Sequence, residues 1–126
     1  RTIRINERSF GKLFLGKGVH YIDMELNNPY YAVIFTSITT EEDKGYLEMA
    51  HQMESLAKSQ TGFLGFESAK AQMGISVSYW NSLGAIADWK MQADHLFAQK
   101  KGREEWYKWY KVRICLVERE YEFGNG

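Results

Sequence analysis

The chain alternates between two kinds of apolar pattern. From Tyr30 to Ile38 it reads Tyr-Tyr-Ala-Val-Ile-Phe-Thr-Ser-Ile, apolar at both alternate sets of positions: Tyr30, Ala32 and Ile34 in one, Tyr31, Val33 and Phe35 in the other. A strand of this kind is covered on both faces. Thr39 and Glu42 then have the spacing of a capping box, and Tyr46, Met49, Met53 and Leu56 recur at helical intervals with Ala50 and Ala57 beside them. This predicts a helix over about 41–59, with Gly62 as its stop. Phe63 to Ala69 predicts a second strand. After a turn through Lys70 to Gly74, the alternation of Ile75, Val77 and Tyr79 with Ser76, Ser78 and Trp80 predicts a third strand and a hairpin. Asn81 or Ser82 caps a second helix carrying Leu83, Ile86, Ala87, Trp89, Ala93, Leu96 and Phe97, with Gly102 at its end. Arg103 to Lys108 reads as a short helical turn. Tyr110 to Phe123 reads as a long last strand, with Val112, Ile114 and Leu116 on one face and Arg113, Cys115 and Val117 on the other.

Residues 1–29 differ from the rest of the chain. They are basic at the start (Arg1, Arg4, Arg8) and punctuated by Gly11, Gly16 and Gly18, and Ile22 to Leu26 alternates like a half-buried strand. Asn27, Asn28 and Pro29 form a turn signal, which sets off an arm of residues 1–29 from a core domain of residues 30–126. The arm packs on its own domain or crosses to a partner; the sequence leaves both open.

The core order strand, helix, strand, strand, helix, strand is the split βαβ arrangement, an α+β domain with one antiparallel sheet and both helices on a single face. The helices then cover Tyr31, Val33 and Phe35, and the face with Tyr30, Ala32 and Ile34 needs another cover, because an exposed apolar face of that size is unusual in a soluble monomer. A second copy of the chain, sheet against sheet, is the expected partner.

Composition narrows the function. A length of 126 residues fits one domain, and 16 basic against 16 acidic side chains leave no overall field to draw the chain to nucleic acid or an anionic membrane. Cys115 is the single cysteine, so no internal disulfide forms, and no apolar stretch is long enough for a membrane span; a reducing cytoplasm is the expected setting. Arg1 rather than Met stands first, and no targeting signal is assigned there. Aromatic residues make up 15% of the chain, with tryptophans at 80, 89, 106 and 109, enough to fill a core and still line a pocket or an interface. No glycine-rich phosphate cradle follows a strand, no His/Cys/Asp/Glu group has metal spacing, and no serine sits in a nucleophile elbow.

One further pattern is more specific. Val77-Ser78-Tyr79-Trp80-Asn81-Ser82, Ala85-Ile86-Ala87-Asp88-Trp89-Lys90, His95-Leu96-Phe97-Ala98-Gln99, Gly102-Arg103 and Trp106-Tyr107 together resemble the antibiotic biosynthesis monooxygenase domain family of the dimeric α/β-barrel superfamily. The resemblance covers about residues 30–123. It implies a ferredoxin-like βαββαβ homodimer with a pocket between sheet and helices. Better understood members oxidise aromatic polyketides or quinol-like compounds with oxygen and no cofactor, or degrade haem; many small bacterial members have no assigned substrate.

Cofactor-free oxygenation needs a substrate able to become an electron-rich anion, a proton acceptor, a positive or hydrogen-bonding partner for the oxyanion, and a dry aromatic pocket. On this resemblance His95 is the candidate proton acceptor, against a structural role bridging helix ends, and Arg113 is the candidate oxyanion partner, against a structural pair with Glu118 or a helix carboxylate. Trp80, Asn81, Trp89 and Tyr107 are the candidate pocket residues, against core packing for the tryptophans and helix capping for Asn81. His51 reads as a solvated helix residue, and His20 belongs to the arm. The haem-degrading branch needs an asparagine on the first strand, a tryptophan at the Trp89 position and a histidine ligand about three turns beyond it. Tyr30 to Ile38 holds no asparagine, and Gln99 to Lys101 fills the ligand region, which disfavours haem. The expected function is thus a cofactor-independent monooxygenase of a small aromatic or quinol-like substrate, with a non-catalytic dimer binding an apolar small molecule as the alternative.

Overall fold

The computed structural model describes residues 3–5, 22–40, 45–99 and 106–125. Its elements are β1 (Ile3–Ile5), β2 (Ile22–Thr39), α1 (Tyr46–Lys58), β3 (Phe63–Lys70), β4 (Gly74–Trp80), α2 (Leu83–Gln99) and β5 (Tyr107–Glu122). The strands form one sheet in the order β1-β2-β4-β3, and β5 also pairs with β2. From β2 onward this is the expected ferredoxin-like βαββαβ order, with β2 and β4 central.

Two compact units divide the chain: Tyr31–Cys115, and Arg1–Tyr30 together with Leu116–Gly126. In the second unit β1 pairs antiparallel with the start of β2, Ile3 opposite Leu26 and Ile5 opposite Met24. The turn expected at Asn27-Asn28-Pro29 is absent, because β2 runs unbroken through it. Proline lacks the N–H that a ladder needs. Pro29 falls after the stretch paired with β1, which ends at Leu26, and before the stretch paired with β4, which begins at Tyr31.

In the larger unit, the register sorts side chains by face. Tyr31 lies opposite Trp80, Val33 opposite Ser78, Phe35 opposite Ser76 and Ser37 opposite Gly74. This set carries the core: Val33 and Trp80 are buried with Ala57 of α1 and Ile86 of α2, and Tyr31, Phe63, Ala85 and Trp89 pack around them. Both helices therefore cover this face, as their apolar stripes require. Burying a large apolar side chain contributes about 1.5–3 kcal/mol, so a cluster this small makes Trp80, 0% exposed, its main element.

Helix boundaries have local causes. α1 begins at Tyr46 behind Gly45, whose φ of 84° is left-handed, so Thr39 does not cap it; Thr39 ends β2, and Glu42, the other half of the expected capping box, lies outside the described residues. Gly62, with φ of 94°, turns the chain into β3. At α2 the choice between Asn81 and Ser82 falls to Ser82, whose Oγ accepts the Ala85 N–H at 3.1 Å. Asn81 instead donates its backbone N–H to the Gly62 carbonyl at 2.8 Å. β5 starts at Tyr107, inside the segment expected to be a helical turn; Gly102 lies outside the described residues.

Candidate functional site

β4 decides the character of the helix-covered face. Its alternation places Gly74, Ser76, Ser78 and Trp80 towards the helices and Ile75, Val77 and Tyr79 away from them. A strand that only filled a core would do the reverse. Opposite Ser76 on the other side stands Ser68, and opposite Ser78 stands Phe66, so small hydroxyl side chains form a track along the middle of the sheet beneath the helices.

Aromatic rings wall this track at both ends. At one end Trp80 meets Phe63 edge-on at 5.5 Å and Trp89 at 5.3 Å between ring centroids. At the other, Tyr107 packs on Phe35 at 5.4 Å, Tyr46 at 5.8 Å, Tyr110 at 5.6 Å and Phe97 at 6.4 Å, so strand β5 and both helices meet around one phenol. Burial, aided by the neighbouring Tyr46 and Tyr110, pushes the Tyr107 phenol well above its ordinary value of 10.0, and a hydrogen bond with Tyr46 holds its proton. Tyr107 is thus a phenol held towards its protonated form among four aromatic rings.

The two tryptophans differ in one respect. The Trp80 indole N–H donates to Ser78 Oγ at 2.8 Å. The Trp89 indole nitrogen is buried and has no hydrogen-bond partner among the described residues. Buried donors are almost always satisfied, because an unmade bond costs about 1–3 kcal/mol.

The other candidates lie elsewhere. Asn81 is exposed on the connection into α2. The sheet-facing positions of α2 are Ile86, Trp89, Ala93 and Phe97; His95 falls between them in angle and is exposed, lining an open groove with Leu56 of α1 and Met91, Gln92, Asp94 and Leu96 of α2. Arg113 is exposed as well. Tyr107 and Tyr110, three residues apart on β5, both pack on Phe35, while Val112 and Ile114 are 45% and 51% exposed. The structure brings Trp80, Trp89 and Tyr107 to one face, with His95 off the sheet-facing stripe of α2 and Arg113 exposed on β5. It adds Ser76 and Tyr46, which no motif marked, and Ser78, which lies in the resembling stretch but was not singled out; the signal for the serines was that they share an alternate set with Trp80.

No family model matches the chain. YqjZ, an uncharacterized protein of Bacillus subtilis (strain 168), is 50% identical over 100 residues, which cover 78% of this chain and 88% of YqjZ. The chain belongs to the YqjZ family. Among solved structures, a mutant of SnoaB, a cofactor-independent oxygenase from Streptomyces nogalater, superposes with a TM-score of 0.57 at 9% identity, over 68% of this chain and 90% of SnoaB. A candidate antibiotic biosynthesis monooxygenase from Nitrosomonas europaea gives 0.56 at 14% identity, over 71% and 90%. The protein NE2512 of the same organism, of unknown function, gives 0.60 at 8% identity, over 80% and 100%. This YqjZ-family chain therefore has the fold of the antibiotic biosynthesis monooxygenase domains, and identities this low carry the fold alone. No helix among its described residues is long and apolar enough to cross a membrane.

Proposed function

We propose that this protein, as a homodimer, binds a small aromatic or quinol-like molecule between its sheet and helices and oxidises it with O2 without a cofactor. The observation that carries the reading is the Trp89 indole N–H, buried and without an acceptor among the described residues. A ligand carbonyl or phenolate oxygen supplies that acceptor, and the Ser76 and Ser78 hydroxyls lie on the same sheet face to receive further polar groups. The half-buried rings of Phe35, Tyr46, Tyr107, Tyr110 and Phe97 offer planar apolar walls. The likeness to SnoaB supports the choice of chemistry.

In such a reaction the substrate loses a proton, its anion passes an electron to O2, and the two radicals combine. For a ring CH2 the balance is one CH2 plus one O2 giving one C=O plus one water; for a quinol it is one quinol plus one O2 giving one quinone plus one hydrogen peroxide. Tyr107, held protonated, serves as a donor and not as the base. With His95 exposed and off the sheet-facing stripe of α2, the substrate best suited to this face is one acidic enough to ionise in water, such as a hydroxylated anthrone or a quinol.

The test is oxygen consumption by the purified protein with 1,8-dihydroxyanthrone and a panel of naphthoquinols. Protein-dependent uptake of one O2 per quinone formed, reduced by Trp89→Phe, is the expected result. Binding of these compounds without uptake would leave a non-catalytic small-molecule-binding dimer, and absence of binding would overturn the ligand site itself.

A further inference from the structure

We infer that the ligand of this face is an aromatic anion and that Lys70 is the residue that selects it; the inference rests on the ligand site proposed above. Oxyanion chemistry asks for a positive partner, and the arginine that the sequence offered, Arg113, is exposed on β5. Lys70 lies on the helix-covered face. It stands opposite Gly74, and Gly74 stands opposite Ser37, so all three belong to the helix-covered set.

The placement of its charge is unusual. The Lys70 ammonium sits 4.2 Å from the centre of the Tyr46 ring and 3.3 Å from Thr39 Oγ1, so it is held by an aromatic face and a hydroxyl. Neither neutralises it, and among the described residues no carboxylate pairs with it. By contrast Lys58 and Lys90 pair with Glu54 and Asp94 at 2.6 and 2.7 Å. The ring that Lys70 covers is the one that packs on Tyr107, which sets the cation at the rim of the aromatic nest. Hydroxyls surround that rim: Ser37 is only 3% exposed, and Ser76 and Ser68 lie one row further along the sheet. Gly74 keeps the row open, since a Cβ there would come within 3.2 Å of Ser37 Oγ. An ammonium, several hydroxyls and flat apolar walls together fit a ring system bearing a carboxylate or phenolate better than they fit a neutral hydrocarbon.

The experiment titrates 2-naphthoate and its neutral isostere 2-naphthamide into the full chain by calorimetry. The wild type is expected to bind naphthoate about tenfold or more tightly than naphthamide, the effect of one charge-assisted hydrogen bond. Lys70→Met keeps an apolar stem over Tyr46 and should erase the preference while leaving naphthamide affinity unchanged; Lys70→Arg should retain most of it. Equal binding of the two compounds by the wild type, or a preference that survives Lys70→Met, overturns the role of Lys70 and leaves the ligand site standing. Failure of both compounds to bind overturns the site and this inference with it.

Discussion

Trp80 and Trp89 lie with ring centroids 5.3 Å apart and planes 33° apart, yet among the described residues only Trp80 has an acceptor for its N–H. The pair therefore separates packing from function. Trp80→Phe removes fully buried volume and the bond to Ser78, and should cost about 1–3 kcal/mol of stability. Trp89→Phe also loses volume, but it removes a buried donor whose unmet bond already costs about 1–3 kcal/mol, so the two effects offset and the net change should stay within about 1 kcal/mol. Urea denaturation of the two variants checks this. A Trp89→Phe loss as large as that of Trp80→Phe would show that Trp89 is core and nothing more.

The Tyr107 phenol supplies a pH dependence. Its folded pKa is raised above the ordinary 10.0, so above pH 10 the unfolded chain releases this proton while the folded chain keeps it. The folded state then binds more protons, and the contribution to stability, full below pH 10, falls as pH rises. Thermal melts from pH 9 upward should show a decline in the wild type that is shallower in Tyr107→Phe. Equal slopes would place the phenol in contact with water.

Two left-handed glycines should behave differently. Gly62 and Gly45 have φ of 94° and 84°, but a Cβ on Gly62 would lie 2.5 Å from Asn81 Oδ1 and 2.7 Å from Ala85 Cβ, whereas one on Gly45 meets nothing within 4 Å. Gly45→Ala should cost only the backbone strain, about 1–2 kcal/mol. Gly62→Ala should cost more, because the start of α2 must also shift. A guanidinium titration ranks the two, and similar midpoints would mean that the Gly62 turn yields easily.

The strands and helices are legible in the sequence because their apolar periods are strong: α2 and the β3–β4 hairpin lie within a residue or two of their expected positions. β2 is longer than its pattern suggests, since Pro29 carries the signal of a break and nothing local reveals that the strand runs on through it. The site is legible only in its tryptophans and Tyr107. Alternation in β4 is plain, but alternation does not say which set the helices cover, and the intuitive assignment of Ile75, Val77 and Tyr79 inward is the opposite of what Val33 and Ser78 establish. His95 and Arg113 stand out by chemistry alone. A histidine two residues from Ala93 and two from Phe97 on a helix falls off the stripe that those residues define, which is a geometric argument already contained in the sequence.

That outward apolar set leads to the oligomeric state. Ala32 lies opposite Tyr79, Ile34 opposite Val77 and Thr36 opposite Ile75, all on the face without helices. Ile75 is 45% exposed in the single chain, while Ala32 and Thr36 of the same set are buried, so the exposed apolar surface of this face centres on Ile75. A second copy meeting it sheet to sheet would bury the set, as proposed. Ile75→Glu tests this cleanly, because a glutamate at so exposed a position is tolerated by one folded chain but places an unpaired charge between two, at a cost of several kcal/mol. Each 1.4 kcal/mol is tenfold in affinity, so dimer dissociation should strengthen about a hundredfold or more. Leu47→Glu, on α1 and 62% exposed, is the control for an added charge away from that face. Sedimentation should show a dimer for the wild type and Leu47→Glu, and a folded monomer for Ile75→Glu with an unchanged circular dichroism spectrum. A wild type that sediments as a monomer at micromolar concentration, or an Ile75→Glu variant that remains dimeric, would show that the two copies do not meet through this face.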